Sequence, residues 1–543
     1  MHVCGFRRAA RLLREGRRRR RARLRAGLRL RRHGARHDAR HRAPADQHHS
    51  RRRRGPAARA GLLAARRARR VRRGRARSVT GVPGADGLRG RAGTDLSRRG
   101  AAPARVARPP QRALRRHVRR SVPRDARPDR GPRVRRVRRE APAFDAAQAR
   151  GRGEGTPAVK VAVVGGGLAG LAAALDLADA GHAVTVLEAR PTLGGAVQTL
   201  PEREGDPEPP PDNGQHIALG CFTEYLRFLD RIGEVGSYLR TRLALPVLGE
   251  DGTVAAIEPR LRALLAYRHL SFRDRVRLPV TTLRLRSAQS EPNESFGHLL
   301  RRLGETDESV DRFWDVFVRP ALNLRCDEAD AGAGLFTVRT ALLGPRANSD
   351  LILPTRPLGR MHGDAAGAAL ETARATVLTD ARVSSLEELD ADAVVVAVPP
   401  PESARLLGEP EPALEDSPIV SVHLWFDRPL LDRPLAALLG SDAHWVFDRG
   451  ALTGSRPERG QYLTVVSSGV PELLEVRGRE LVDRIAAQLT ARLGEGELLW
   501  SRVSREPYAT VALRPGVRRP GVETSHPNVV RAGTWTDTGW PAT

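Results

Sequence analysis

Between Val159 and Thr543 the spacing of apolar residues switches repeatedly between a strand rhythm and a helix rhythm. VKVAVV, 159–164, is a short continuous apolar run rich in β-branched residues, which predicts a buried strand. LAGLAAALDLADAG, 168–181, is rich in Ala and Leu and ends at Gly181, which predicts a helix. HAVTVLEAR, 182–190, predicts the next strand. In SFGHLLRRLGETDESVDRFWDVFVRPAL, 295–322, Phe296, Leu299, Leu300 and Leu303, then Val310, Phe313, Trp314 and Phe317, recur at helical spacing. Such a stripe reads as core in preference to a ligand site. ADAVVVAVPPP, 391–401, predicts another buried strand. PIVSVHLWFD, 418–427, and QYLTVVSS, 461–468, alternate with period two and predict strands, and RELVDRIAAQLTARL, 479–493, predicts a helix.

Composition divides the 543 residues in two. Residues 1–157 hold 51 Arg, no Lys and 10 acids, whereas 158–543 hold 42 basic and 52 acidic residues. The net charge of +31 therefore belongs to the first segment. Runs such as LLREGRRRRRARLRAGLRLRRHGARH keep no helix or strand period and have almost no aromatics, so they cannot bury enough apolar surface to offset the entropy of ordering. A polybasic arm that binds nucleic acid or anionic lipid is one reading. The preferred reading is a disordered or mistranslated segment, because Arg, Ala, Gly and Pro share GC-rich codons; no nucleic-acid partner is expected. Neither a signal-peptide h-region nor a run of 18 apolar residues is present. Cys4, Cys221 and Cys326 are too few and too scattered for a disulfide framework or a zinc site, and they fit a reducing cytoplasm. Peripheral contact with the inner membrane face stays compatible with this composition.

The chemistry begins where the first strand ends. Gly165, Gly167 and Gly170 occupy G-x-G-x-x-G, and Glu188 follows 18 residues after Gly170 at the end of the second strand. Gly165 permits the tight turn, Gly167 admits a pyrophosphate close to the backbone, and Gly170 lets helix and sheet approach. The helix N-terminus offers free N–H groups and positive dipole to phosphate, and Glu188 suits a ribose diol. Glycines kept only for packing would leave the position of the acid a coincidence.

EARPTLGGAVQT, 188–199, adds Arg190 and a second glycine pair, Gly194 and Gly195. This resembles FAD enzymes of the amine oxidase and phytoene desaturase superfamily. The resemblance implies that the pair lets the chain run beside the FAD diphosphate and that Arg190 lies near the cofactor; a solvated loop arginine is the alternative. DNGQHIALGCFTEYLRFLDRIG, starting at Asp212, is similar to the hydroxysqualene dehydroxylase family, also called squalene-associated FAD-dependent desaturases. RPALNLRCDEADAG (319–332), LPTRPLG (353–359), ADAVVVAVPPP and AGTWTDTGWPAT (532–543) agree with it. The resemblance places Asn213 and Gly214 beside the flavin, and Gly533 and Asp537 in the last FAD-binding turn. Thr534 stands where that turn usually has an acid, and relatives continue past the position of Thr543 into a helix facing the flavin, so the last FAD segment is expected to be truncated.

The implied fold is α/β, a Rossmann-type FAD-binding domain interleaved with an α+β substrate domain. FAD-binding segments are expected at 158–245, 346–412 and 501–543, and substrate-domain segments at 246–345 (mostly helical) and 413–500. The implied reaction reduces hydroxysqualene to squalene, with a small isoprenoid as substrate and no metal. His216 is the first candidate for the general acid and Asp212 the second, although His216 could instead position its neighbours and Asp212 could hold backbone N–H groups in its turn. Two alternatives stay open. A desaturase or amine oxidase would use FAD oxidatively, and a polybasic binding protein would carry an inert FAD-like part. The oligomeric state is not legible.

Overall fold

The computed structural model describes residues 158–541; the arginine-rich segment, its expected disorder and Cys4 lie outside them. Five parallel strands form one sheet in the order Val529–Arg531, Ala393–Val396, Lys160–Val164, Ala183–Leu187, Thr376–Leu378. After the exposed Lys160 the central strand is apolar, because both its faces are covered. Val161 and Val163 pack with Leu171 and Leu175 of the helix Leu168–Asp179, while Ala162 and Val164 pack with Val383, Leu406 and Leu407. The chain thus has the α/β fold expected of it, with the sheet drawn from early, middle and late sequence.

A second sheet has seven strands, in the order Leu498–Val511, Asp416–Phe426, Gln461–Ser468, Trp445–Asp448, Leu435–Leu438, Leu245–Leu248, Val254–Ile257. Its period-two alternation separates two buried faces. Val420, Val422, Leu424, Leu463 and Val465 pack against Leu481, Ile485 and Leu489 of the helix Gly478–Leu493. The alternate positions Ser421, His423 and Thr464 are equally buried, on the other face, and are polar. That polar inner face belongs to the site described below.

The stripe at 295–322 is interrupted. The helix Phe296–Arg302 stops before Gly304, whose φ is +106°, and Thr306 then caps a new start by accepting the Ser309 N–H. A π-helical turn at Val310–Trp314 leads into Asp315–Leu322. Phe296, Phe313 and Trp314 meet edge to face in the core.

Candidate functional site

The glycine loop is set by backbone contact. Gly165 has φ +106°, and a Cβ there would lie 2.3 Å from the Ala397 carbonyl oxygen. At Gly170 a Cβ would lie 1.9 Å from the Gly165 oxygen, which fixes how closely the helix crosses the sheet. Gly167 caps the helix Leu168–Asp179 without a side-chain hydrogen bond, so its first-turn N–H groups remain available for an anion. The second glycine pair folds back on this loop. Gly194 N–H donates to the Gly166 oxygen at 2.8 Å, and a Cβ on Gly195 (φ +62°) would be 2.7 Å from the Gly167 Cα.

Glu188 is buried, and its two oxygens accept from Gly166 N–H at 2.6 Å and Arg190 N–H at 2.8 Å. Each oxygen keeps a second lone pair through which a ribose diol can be held. Arg190 is exposed and donates to the Gly195 oxygen at 3.3 Å. Gly533 follows the edge strand Val529–Arg531, on the edge of the sheet that carries the loop. Asp537 is exposed; the described partners of its carboxylate are Gly539 N–H and, at 3.9 Å, Arg519, neither of which belongs to the loop.

After Gly195 the chain runs back along itself. Asn213 N–H donates to the Gln198 oxygen at 2.9 Å, Leu200 N–H to the Pro211 oxygen at 2.8 Å, and the Asn213 side chain to the Ala196 oxygen at 2.8 Å. This ladder lays Asp212, Asn213 and Gly214 next to the cofactor loop. Asp212 is fully buried, and four other stretches of chain converge on it. Its carboxylate accepts from Thr199 Oγ1 at 2.7 Å, Leu358 N–H at 2.8 Å and Arg449 Nη2 at 2.8 Å, while its carbonyl oxygen pairs with His423 Nε2 at 2.9 Å. Arg449 also reaches Gln215 Oε1 at 2.8 Å. Burial pushes the Asp212 carboxyl up, and Arg449, Thr199 and Leu358 pull against that. All three donate to the ionised form, so the group reads as the carboxylate of a buried ion pair.

His216 differs from its neighbours. The residue as a whole keeps exposed surface, yet the protein packed around its ring lowers its pKa to about 4, with His362 adding to the effect. His362 itself is buried, with Nε2 2.7 Å from Tyr225 Oη and Nδ1 2.8 Å from the Leu358 oxygen. It sits in a π-helical turn, Arg360–Asp364, in which Gly363 presses on the Leu193 oxygen, so this turn closes over the second glycine pair. A few residues further along the chain, Leu219, Cys221 and Phe222 join Phe336 and Trp540 in lining a small apolar cleft of about 30 Å³.

The residues present fit FAD. Two glycine segments form a cradle that any Cβ would fill, an uncapped helix N-terminus faces it, and an acid ends the second strand. Gln198 Nε2, Ser421 Oγ and Arg449 Nε are buried without hydrogen-bond partners among the described residues, and a polar ring system would satisfy them. Sequence reasoning missed Arg449, His423, His362 and Tyr225. Only Arg449, an arginine inside the apolar stretch HWVFDRGALT, carried a local signal.

A parallel sheet with a glycine cradle, joined to a second sheet whose polar face looks inward, defines a flavin-dependent oxidoreductase. Residues 168–543 match the flavin containing amine oxidoreductase family, and the chain belongs to it. It is an FAD-dependent enzyme related to hydroxysqualene dehydroxylases and carotene desaturases. A hydroxysqualene dehydroxylase of Sinorhizobium fredii is 28% identical over 419 residues, covering 70% of this chain and 94% of that protein. A zeta-carotene desaturase of Zea mays is 28% identical over 198 residues, or 32% of this chain, and the match spans only 34% of the desaturase. The solved cyclohexylamine oxidase from Brevibacterium oxydans shares the fold, with a TM-score of 0.52 at 16% identity, covering 71% of this chain and 96% of its own.

Proposed function

We propose that the enzyme removes the hydroxyl of a hydroxysqualene-type polyprenyl alcohol reductively, giving the hydrocarbon and water. One observation carries this reading: similarity to a hydroxysqualene dehydroxylase runs along 94% of that protein. Replacing hydroxyl by hydrogen needs a hydride, which reduced FAD supplies when bound, and a proton on the departing oxygen. The remaining tasks fall to the chain. Gly165, Gly167, Gly170, Gly194, Gly195 and Glu188 hold the dinucleotide, with Gly533 at the same sheet edge and Arg190 at the rim. Asp212, tied to Arg449, Thr199 and Leu358, positions the stretch 212–216, and Asn213 and Gly214 form the wall next to the cofactor.

His216 is the group placed to manage the proton. With a pKa near 4 it is neutral at pH 7, so it can pass a solvent proton to the departing oxygen as a relay, one ring nitrogen giving up its N–H proton as the other takes one from water. His216→Ala should abolish turnover and leave FAD bound, and retained turnover would remove it from the mechanism. The whole reading is tested anaerobically. Hydroxysqualene is added to the enzyme with its FAD reduced, and the oxidised-flavin absorbance is followed. Its return, with squalene formed, is the expected result; no return from protein that holds FAD overturns the reading. The desaturase match favours a second reading, oxidative desaturation of a polyene, in which the substrate would instead bleach oxidised FAD.

A further inference from the structure

Six large apolar side chains on one helical hairpin face solvent. The hairpin comprises Leu261–Ala266 and Phe272–Arg284, which pack on each other. Phe272 is 70% exposed, Leu283 64% and Leu261 60%, and Leu265, Val276 and Val280 are exposed as well. At about 100° per residue, Phe272, Val276, Val280 and Leu283 fall within roughly 80° of arc. Asp274, Leu278 and Thr281 occupy the opposite, buried side. The second helix thus has two apolar sides. Leu278 enters the core with Tyr267, Leu270 and Phe296, whereas the other side stays exposed, from 44% at Val276 to 70% at Phe272. Single exposed apolar residues are ordinary, but a stripe of them marks a docking surface.

Charge indicates what docks. Residues 259–288 carry eight arginines and one acid, inside a body, 158–543, whose acids outnumber its bases. By the same helical arithmetic Arg273, Arg277 and Arg284 flank the stripe on one side and Arg275 and Arg286 on the other. Among the described residues Arg262, Arg268, Arg273 and Arg286 have no acidic partner, whereas Arg277 pairs with Asp274 at 3.1 Å. The Arg275 guanidinium lies 5.7 Å over the Phe272 ring and donates to the Leu265 oxygen, which holds the apolar ends of both helices on one side.

We propose that this hairpin docks on an anionic lipid bilayer, with the apolar stripe at the acyl boundary and the arginines at the level of the phosphates. No described helix is long and apolar enough to cross a membrane, so the hairpin lies on the surface. A second copy of the chain would set arginine against arginine, which disfavours self-association through this side. The docking stands without the substrate assignment. If the substrate is a polyprenyl alcohol, docking brings its source close, because Leu278 shares one core with Cys221 and Ala341 of the apolar cleft.

The test uses the full chain with FAD bound and an environment-sensitive fluorophore on Leu283→Cys in a Cys4→Ser background. Vesicles are phosphatidylcholine alone or with phosphatidylglycerol. With the anionic vesicles the emission should shift to the blue and be quenched by spin labels in the upper acyl chain. The added pair Phe272→Ser/Val280→Ser should weaken vesicle binding about tenfold while FAD absorbance certifies the fold. Three results would overturn the proposal: vesicles that bind while the fluorophore stays in water, which assigns binding to residues 1–157; equal binding to neutral vesicles; or a shift that follows dimer formation without vesicles.

Discussion

The glycine loop and the Asp212 cluster touch the same stretch of chain but are built by opposite means. The loop is backbone meeting backbone. Gly165, Gly167, Gly170, Gly194 and Gly195 all lie within one βαβ unit and its next turn, and they work by lacking a Cβ. The cluster is side chains meeting across the fold, with His423 arriving from the second sheet and Arg449 from the helix Arg449–Thr453 that follows its strand Trp445–Asp448, each more than 200 residues away. The difference is one of failure. A loop of this kind fails when something is added, whereas a buried ion pair fails when something is removed.

The largest expected break follows from removing Arg449. Arg449→Ala leaves the Asp212 carboxylate buried without its counter-charge and should cost about 3 to 5 kcal/mol, read by urea unfolding. Adding Asp212→Asn should recover part of that loss, which would show the two residues acting as a pair. Acid attacks the same cluster. Burial lowers His423 to about 3, with Arg449 adding to the shift, whereas the unfolded chain protonates near the usual 6.5. Above that pH both forms are neutral; below it the unfolded chain binds a proton that the fold refuses. Stability should therefore fall by roughly 4 to 5 kcal/mol as pH drops from about 6.5 toward 3, and the slope should be shallower in His423→Gln. The loop is tested by addition. Gly195→Ala should cost about 1 to 3 kcal/mol, from a left-handed φ and the collision with Gly167, and should lower the FAD retained on gel filtration. The smallest effect sharpens the contrast: Ser421→Ala removes a hydroxyl without a described partner and should change stability by no more than about 0.5 kcal/mol.

The same contrast governs what the sequence revealed. The first strand, the glycine-loop helix and the strand Gln461–Ser468 follow from local spacing, and the structure has them within a residue or two of expectation. The helical insert was legible as apolar stripe but not as broken helix, because Gly304 and the Thr306 cap act on a scale shorter than the stripe. DNGQHIALG was legible as a polar knot, and the structure lays it next to the glycine loop. Its partners were not, since nothing in the neighbourhood of Arg449 or His423 points toward Asp212; only the register of the second sheet brings them together. The inward polar face of that sheet was likewise hidden, because Ser421 and His423 alternate with valines just as solvent-facing residues do.

The order of strands in the parallel sheet bears on how the protein is made. Ala393–Val396 lies between the first strand of the fold and Val529–Arg531, the last. During vectorial synthesis the glycine loop can form early, but one edge of Ala393–Val396 stays unpaired until more than a hundred further residues have been made. At about 5 to 20 residues per second that exposure lasts on the order of ten seconds. An apolar AVVV edge open for so long is a template for pairing with neighbouring nascent chains, so the yield of folded flavoprotein should depend on chaperones and on the speed of translation between Val396 and Arg531.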